Sequence, residues 1–349
     1  KWKASFEATR SGSPNALLEL EVMANEWRED FKRATKDENN IYEDILQEKV
    51  DELSRNSPDK AETFVSIVRD KSRSTTEFVE EWLSTSDNQP KTIDMKRSDV
   101  LRFSETFPYT HHVTKKAVQK WTHKLLYADN LNPSTVRRVV SACRGYWSFL
   151  ERSGYIHTEN DPFHDAVERT KRKSKASRTK DRQPFTAQEV VYLFNAARAN
   201  GDPDLADLIW LGMWTGCRRE ELCALKIADV SDDRMQITDA KSSAGIRSVP
   251  IHSQLRDTIK RLISESTDDF VISGQKPNKY GERSDAIGKR FGRLKEKLGY
   301  SETHVFHSIR KTVATMLENA GVPESVAADI IGHEKKTMTY GVYSGGTSF

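Results

Sequence analysis

The chain has 349 residues, 36% hydrophobic and 31% charged, so it can form two or three domains with modest cores and much exposed helical surface. It carries no apolar run near the roughly 18 residues of a membrane span and no visible signal peptide, which predicts a soluble, cytoplasmic protein with no membrane partner. The net charge of +3 hides an asymmetry: residues 1–70 hold 11 Lys+Arg against 16 Asp+Glu, a net of −5, which leaves +8 on the other 279. A long basic body behind an acidic segment points to a polyanionic partner, nucleic acid first.

Residues 1–73 read as an acidic helical segment broken at Ser11-Gly12-Ser13-Pro14 and Ser57-Pro58, with Ile41, Ile45, Val50 and Leu53 at roughly helical spacing. They contain no catalytic constellation and suit a spacer or partner-binding role. A compact helical unit follows over residues 74–165. Ser74-Thr75-Thr76-Glu77 has the spacing of a capping box ahead of Phe78, Val79, Trp82 and Leu83. A second helix is predicted around Asp94 to Thr106, and a third from Thr114 with Val118, Trp121, Leu125 and Leu126 in phase. A fourth starts at Asn132-Pro133-Ser134 and carries Val136, Val139, Val140, Cys143, Trp147 and Leu150. Lys115, Lys116, Lys120 and Lys124 line the third helix, and Arg137, Arg138 and Arg144 the outward face of the fourth. Such a one-sign surface suits phosphate tracking, although a charged helix face is often only solvated.

Residues 166–183 form a basic linker. Positions 168–182 hold eight Lys/Arg, among them Lys171, Arg172 and Lys173, against two acidic residues, and no apolar side chain larger than Ala. Such a stretch cannot bury a core, but it can lie along a duplex. The last domain, residues 184–349, opens with a second capping pattern, Thr186 to Glu189. Leu205, Leu208, Ile209, Leu211, Met213 and Trp214 form its most apolar helix, which a turn at Thr215-Gly216 ends, and a short helix from about Arg219 to Leu225 follows. Met235, Ile237, Val249 and Ile251 alternate as strands about a turn at Ser242 to Gly245, and the remainder is helical. The expected fold class is mainly α with a small antiparallel β-sheet: a helical domain followed by a mixed α/β domain. Cys143, Cys217 and Cys223 sit in apolar helical patterns without metal-ligand spacing and are expected to be buried, reduced thiols.

The polar residues of the last domain gain meaning from their order. Thr215-Gly216-Cys217-Arg218, then Glu221, the hairpin Lys241, His307-Ser308-Ile309-Arg310, Gly332-His333 and a tyrosine near the end follow one another as in the tyrosine recombinases. From about residue 74 onward the chain resembles a phage-type integrase of that family, with residues 74–165 like its helical core-type DNA-binding domain and residues 184–349 like its mixed α/β catalytic domain. Two planar guanidinium groups, Arg218 and Arg310, suit the nonbridging oxygens of a phosphodiester, on which charge concentrates in the transition state. Glu221, one helical turn after Arg218, is placed to orient it. A tyrosine hydroxyl, with an unperturbed pKa of about 10, needs such cations or a base to become a nucleophile, and His307 is the candidate base.

The resemblance further implies that His333 donates a hydrogen bond to the scissile phosphate and that Lys241 protonates the leaving 5′ oxygen. It also implies a 3′-phosphotyrosyl intermediate, a Holliday junction, and no metal or other cofactor. The implied partners are double-stranded DNA, four protomers on two DNA sites, and DNA-bending accessory proteins; the two DNA-contacting domains would form a C-shaped clamp, with residues 344–349 as a docking tail. The family commonly places the nucleophile nine residues after the His of its Leu-Gly-His motif, which is Val342 here, with Tyr343 at ten and Tyr340 at seven. Tyr343 is the choice, because one inserted loop residue is easily accommodated and the small polar Ser344 follows it; Tyr340 is the alternative. Ile331 stands where the family has Leu before Gly-His, and Lys311 where many members have His. The rival readings are a type IB topoisomerase, a catalytically inactive regulator of the same fold, and a metal-dependent nuclease using His307 and His333.

Overall fold

Prolines and short polar side chains set most of the helix starts. The computed structural model describes residues 14–157, 160–167, 182–238 and 245–333, and the chain divides into two units, residues 1–172 and 173–349. In the first unit, α1 (Pro14–Arg33), α2 (Lys36–Asn56) and α3 (Pro58–Val68) share a core of Leu20, Ala24, Leu46, Phe64, Ile67 and Val68, which Tyr109 completes. Pro58 suits the first turn of α3, where a missing N–H costs nothing and φ is already helical.

A second core in this unit is built from α4 (Val79–Ser84), α5 (Pro90–Thr106), α6 (Lys115–Tyr127) and α7 (Pro133–Arg152). Along α7, Val136, Val139, Val140, Cys143, Trp147 and Leu150 recur every three or four residues and all are buried, as the apolar stripe predicts. Two of the predicted helix starts are capped: Thr114 Oγ1 accepts from Ala117 N at 3.3 Å, and Asn132 Oδ1 accepts from Ser134 N at 3.1 Å. The Ser74–Glu77 box does not. Ser74 instead bridges Tyr109, Thr75 N donates to Pro108 O at 2.9 Å, and α4 starts only at Val79. Pairing with the distant 107–110 segment satisfies this backbone and outcompetes a local cap.

In the second unit, α8 (Ala187–Ala199) carries the capping box expected at Thr186: Glu189 N donates to Thr186 Oγ1 at 3.2 Å, and Thr186 N to Glu189 Oε2 at 2.7 Å. The central helix is α9 (Pro203–Thr215), with Leu205, Leu208, Ile209 and Leu211 fully buried, each worth about 1.5–3 kcal/mol in area removed from water. Next come α10 (Arg219–Cys223), the antiparallel pair β1 (Arg234–Ile237) and β2 (Arg247–Pro250), α11 (Arg256–Glu265), α12 (Asp285–Lys297), α13 (Phe306–Asn319) and α14 (Glu324–Ile331). The strand register pairs buried Met235 with buried Val249 and sets Ile237 opposite Arg247. The mainly helical fold with a two-stranded antiparallel sheet is the expected one. All three cysteines are buried and free. Among the described residues no helix is long and apolar enough to cross a membrane.

The packing of α13 on α9 positions the polar residues. Gly212 lies at the crossing, where a Cβ would stand 3.0 Å from the Phe306 ring, so the bare backbone lets α13 approach. Arg310 is thereby carried to the C-terminal end of α9.

Candidate active site

Two helix ends and one helix face converge here. α9 ends at Gly216 in the left-handed region (φ 64°), and α14 ends at Gly332 in the same conformation (φ 67°). The two turns present their carbonyls toward α13. Arg310, 2% exposed, donates from Nη1 to Gly216 O at 2.9 Å and from Nη2 to Gly332 O at 3.3 Å. Arg218 donates from Nη2 to the same Gly332 oxygen at 3.1 Å, so the two guanidinium groups meet at one carbonyl immediately before His333. His307 lies one turn before Arg310 on α13 and is half-buried.

Glu221 is hydrogen-bonded to Arg218 through both of its oxygens. Its Oε1 accepts from Arg218 Nη1 at 2.6 Å, and its Oε2 accepts from the Arg218 backbone N–H at 2.8 Å. Burial opposes its charge, but hydrogen bonds and the charge of Arg247, with the N–H and side chain of Arg218, outweigh that and hold the carboxyl below its usual range. Burial, with the Arg218 charge beside it, pushes Arg310 down to about 10, so it stays protonated at neutral pH. The Arg310 Nε is buried with no hydrogen-bond partner among the described residues, leaving an N–H suited to an anionic acceptor. Burial pushes the Cys217 thiol up against the opposing charge of Arg247, which makes it an inert neighbour of the site.

Gly216 serves both the turn and the Arg310 contact. A Cβ there would meet Val313 Cγ1 at 3.1 Å and Ile331 Cγ2 at 3.2 Å on a backbone that L-residues avoid. Gly216→Ala is expected to lower stability by about 1–3 kcal/mol, read as the shift in a thermal melt.

Comparisons with known proteins bear on the fold and the family. Residues 183–346 match the phage integrase family. The chain is 26% identical over 263 residues to the tyrosine recombinase XerD of Chlamydia muridarum, covering 72% of this chain and 83% of that protein. It is 23% identical over 173 residues to the integrase of Escherichia phage HK022, covering 45% of each. Its fold resembles that of a lambda integrase tetramer bound to a Holliday junction (TM-score 0.61, 17% identity, 77% of this chain and 80% of that one). A lambda integrase dimer bound to a COC′ core site gives a TM-score of 0.62 at 17% identity, covering 90% of each chain. Residues 183–346 are a tyrosine recombinase domain of the phage integrase type.

Of the six catalytic candidates in this recombinase, Arg218, His307, Arg310 and His333 are gathered at one place. Lys241, Tyr343 and the alternative Tyr340 lie outside the described residues, as do Lys171, Arg172, Lys173 and the tail 344–349. Of the remaining basic candidates, Lys115, Lys116, Lys120 and Arg137 are exposed, whereas Arg138 pairs with the buried Asp99 and Arg144 with Asp161 at 2.7 Å. The sequence reading did not pick out Arg247, whose side chain is 6% exposed and joins Glu221 Oε2 at 3.0 Å. The available signal was an arginine two residues before Val249, in phase with the strand's buried face.

The histidines of this recombinase give a pH test. Burial first, then the charge of Arg310, lowers both His307 and His333 from the ordinary 6.5. Their neutral forms therefore dominate at and above pH 6.5 and are lost only as pH falls through the lower, folded values. Strand cleavage is expected to hold its rate down to pH 6.5 and fall below it in single-turnover assays across pH.

Proposed function

We propose that this site-specific DNA recombinase cleaves and rejoins DNA through a covalent link between Tyr343 and a 3′ phosphate. The observation that carries the reading is the meeting of Arg218 and Arg310 on the Gly332 carbonyl, beside His333 and one turn from His307. Tyr343 Oη attacks the scissile phosphorus while its proton passes to His307. The P–O5′ bond breaks, Lys241 supplies the proton to the leaving O5′, and His333 hydrogen-bonds a nonbridging oxygen. Arg218 and Arg310 stabilise the charge that builds on the nonbridging oxygens. The free 5′ hydroxyl of one duplex then attacks the phosphotyrosine of its partner, giving a Holliday junction that a second round resolves. The bond energy stays in the covalent link, so neither metal nor ATP enters. Four protomers on two DNA segments perform the exchange, with DNA-bending accessory proteins as further partners.

On the helical domain, Lys115, Lys116, Lys120 and Arg137 contact backbone phosphates. Arg138 and Arg144 join them if DNA displaces Asp99 and Asp161, and the linker residues Lys171, Arg172 and Lys173 follow the duplex. Replacing Lys116 and Lys120 by Ala is expected to reduce the salt slope of DNA binding by about 2, measured as log affinity against log salt concentration.

The test is a pool of nicked duplexes with a randomised core, incubated with the protein in EDTA and run on a denaturing gel. The expected result is a protein–DNA adduct that survives denaturation. Cleavage that leaves no adduct and stops with EDTA would identify a nuclease instead. Relaxation of a supercoiled plasmid without paired sites would favour the topoisomerase.

A further inference from the structure

Arg247, at the start of β2, ties together three segments that are far apart in sequence. Its Nε donates to Ile330 O at 2.8 Å, in the last turn of α14 before His333. Its Nη1 donates to Gly245 O at 2.8 Å, in the stem of the hairpin whose loop carries Lys241. Its Nη2 donates to Glu221 Oε2 at 3.0 Å and to Cys217 Sγ at 3.3 Å, on the turn that presents Arg218. A Cβ at residue 332 would stand 2.7 Å from Arg247 Nη1, so the glycine leaves room for the guanidinium beneath the turn into His333. Lys could neither fill this fork nor reach all four acceptors.

The charge balance gives the contact a consequence for phosphate binding. Arg218, Arg247 and Arg310 surround the buried Glu221, so three cations and one anion leave a local charge of +2. Without Arg247, the carboxylate's hydrogen bonds would fall to Arg218 alone, and it would compete with a phosphate for that guanidinium. A buried carboxylate beside an anion site repels the anion unless another cation takes it up.

We infer that Arg247 is a positioning residue for strand cleavage. It engages Glu221 and the Ile330 carbonyl, and so sets the geometry and positive charge with which Arg218 and His333 meet the scissile phosphate. The inference rests on the cleavage reading above, and its test separates the two. The sequence recovered from wild-type adducts in the randomised pool is resynthesised as a single nicked substrate. On it, Arg247→Met, Arg247→Lys and the double variant Arg247→Met with Glu221→Gln are compared for single-turnover adduct formation, DNA affinity and thermal melting.

Arg247→Met is expected to slow cleavage about a hundredfold, as the loss of a supporting group does, with DNA affinity within about threefold of wild type. Removing the carboxylate as well is expected to recover about tenfold, because it deletes the charge that Arg247 had compensated. A tie that only held the fold together would give the opposite sign, with the double variant slower than the single one. Arg247→Lys, which keeps the charge and loses the fork, is expected to cleave about tenfold slower than wild type, and it carries the test if the Met variant does not melt cooperatively. Wild-type rates in Arg247→Met or in Arg247→Lys, or a double variant no faster than the single one, would overturn the inference. A wild-type protein that forms no adduct would overturn the cleavage reading and this inference together.

Discussion

Arg310→Met is expected to slow single-turnover cleavage about a thousandfold, the upper range for removing one donor from a preorganised oxyanion site. Arg310 is 2% exposed, and its terminal nitrogens already bridge the carbonyls of Gly216 and Gly332, so its direction is set before any phosphate arrives. Preorganisation of this kind avoids reorganisation during reaction, and a flexible surface arginine would contribute far less. The same burial makes the residue costly to hold charged, and it pushes the guanidinium down to about 10. Removing it relieves a desolvated charge next to Arg218 but leaves the Gly216 carbonyl unpaired. These opposite effects should keep the change in stability within about 1 kcal/mol. A large loss of cleavage with little change in melting would separate a chemical role from a structural one. A thousandfold loss accompanied by a collapse in melting temperature would assign Arg310 to the fold instead.

Tyr343→Phe is expected to abolish the covalent adduct altogether, since no other group would supply the oxygen that becomes esterified. DNA binding should persist, because the cations that hold the phosphates are untouched and a single aromatic hydroxyl adds little to a phosphate-dominated interface. Tyr340→Phe should still form the adduct, with at most a modest change in rate. The opposite pattern, an adduct persisting in Tyr343→Phe and lost in Tyr340→Phe, would move the nucleophile to the position seven residues after His333.

Local signals in the sequence carried over where the backbone's own neighbours decide the outcome. The Thr186–Glu189 box, the helix start at Asn132-Pro133 and the glycine stop at Gly216 depend on groups within a few residues, and they form as expected. The Ser74–Glu77 box failed because its competitor, the segment at Tyr109, lies some 30 residues away and does not show in a local pattern. The arginine–histidine set was legible through the order of its members, since no single one is distinctive. Its geometry was not, because the meeting of Arg218 and Arg310 is set by main-chain carbonyls of Gly216 and Gly332, whose directions depend on two helix ends. Arg247 was missed for the same reason. Its partners at positions 217, 221, 245 and 330 come together only after folding, and its one sequence cue is a charge on the inward phase of a four-residue strand.

The proposed reaction passes through a tyrosine-linked 3′ phosphate formed at the cluster of Arg218, His307, Arg310 and His333. Mass spectrometry of the trapped adduct, after nuclease and protease digestion, tests it most directly. The expected product is a nucleotide attached through its 3′ phosphate to the peptide containing Tyr343, formed equally well in EDTA. A 5′ linkage, attachment at Tyr340 or at any other residue, or cleaved DNA with no attached peptide would contradict it.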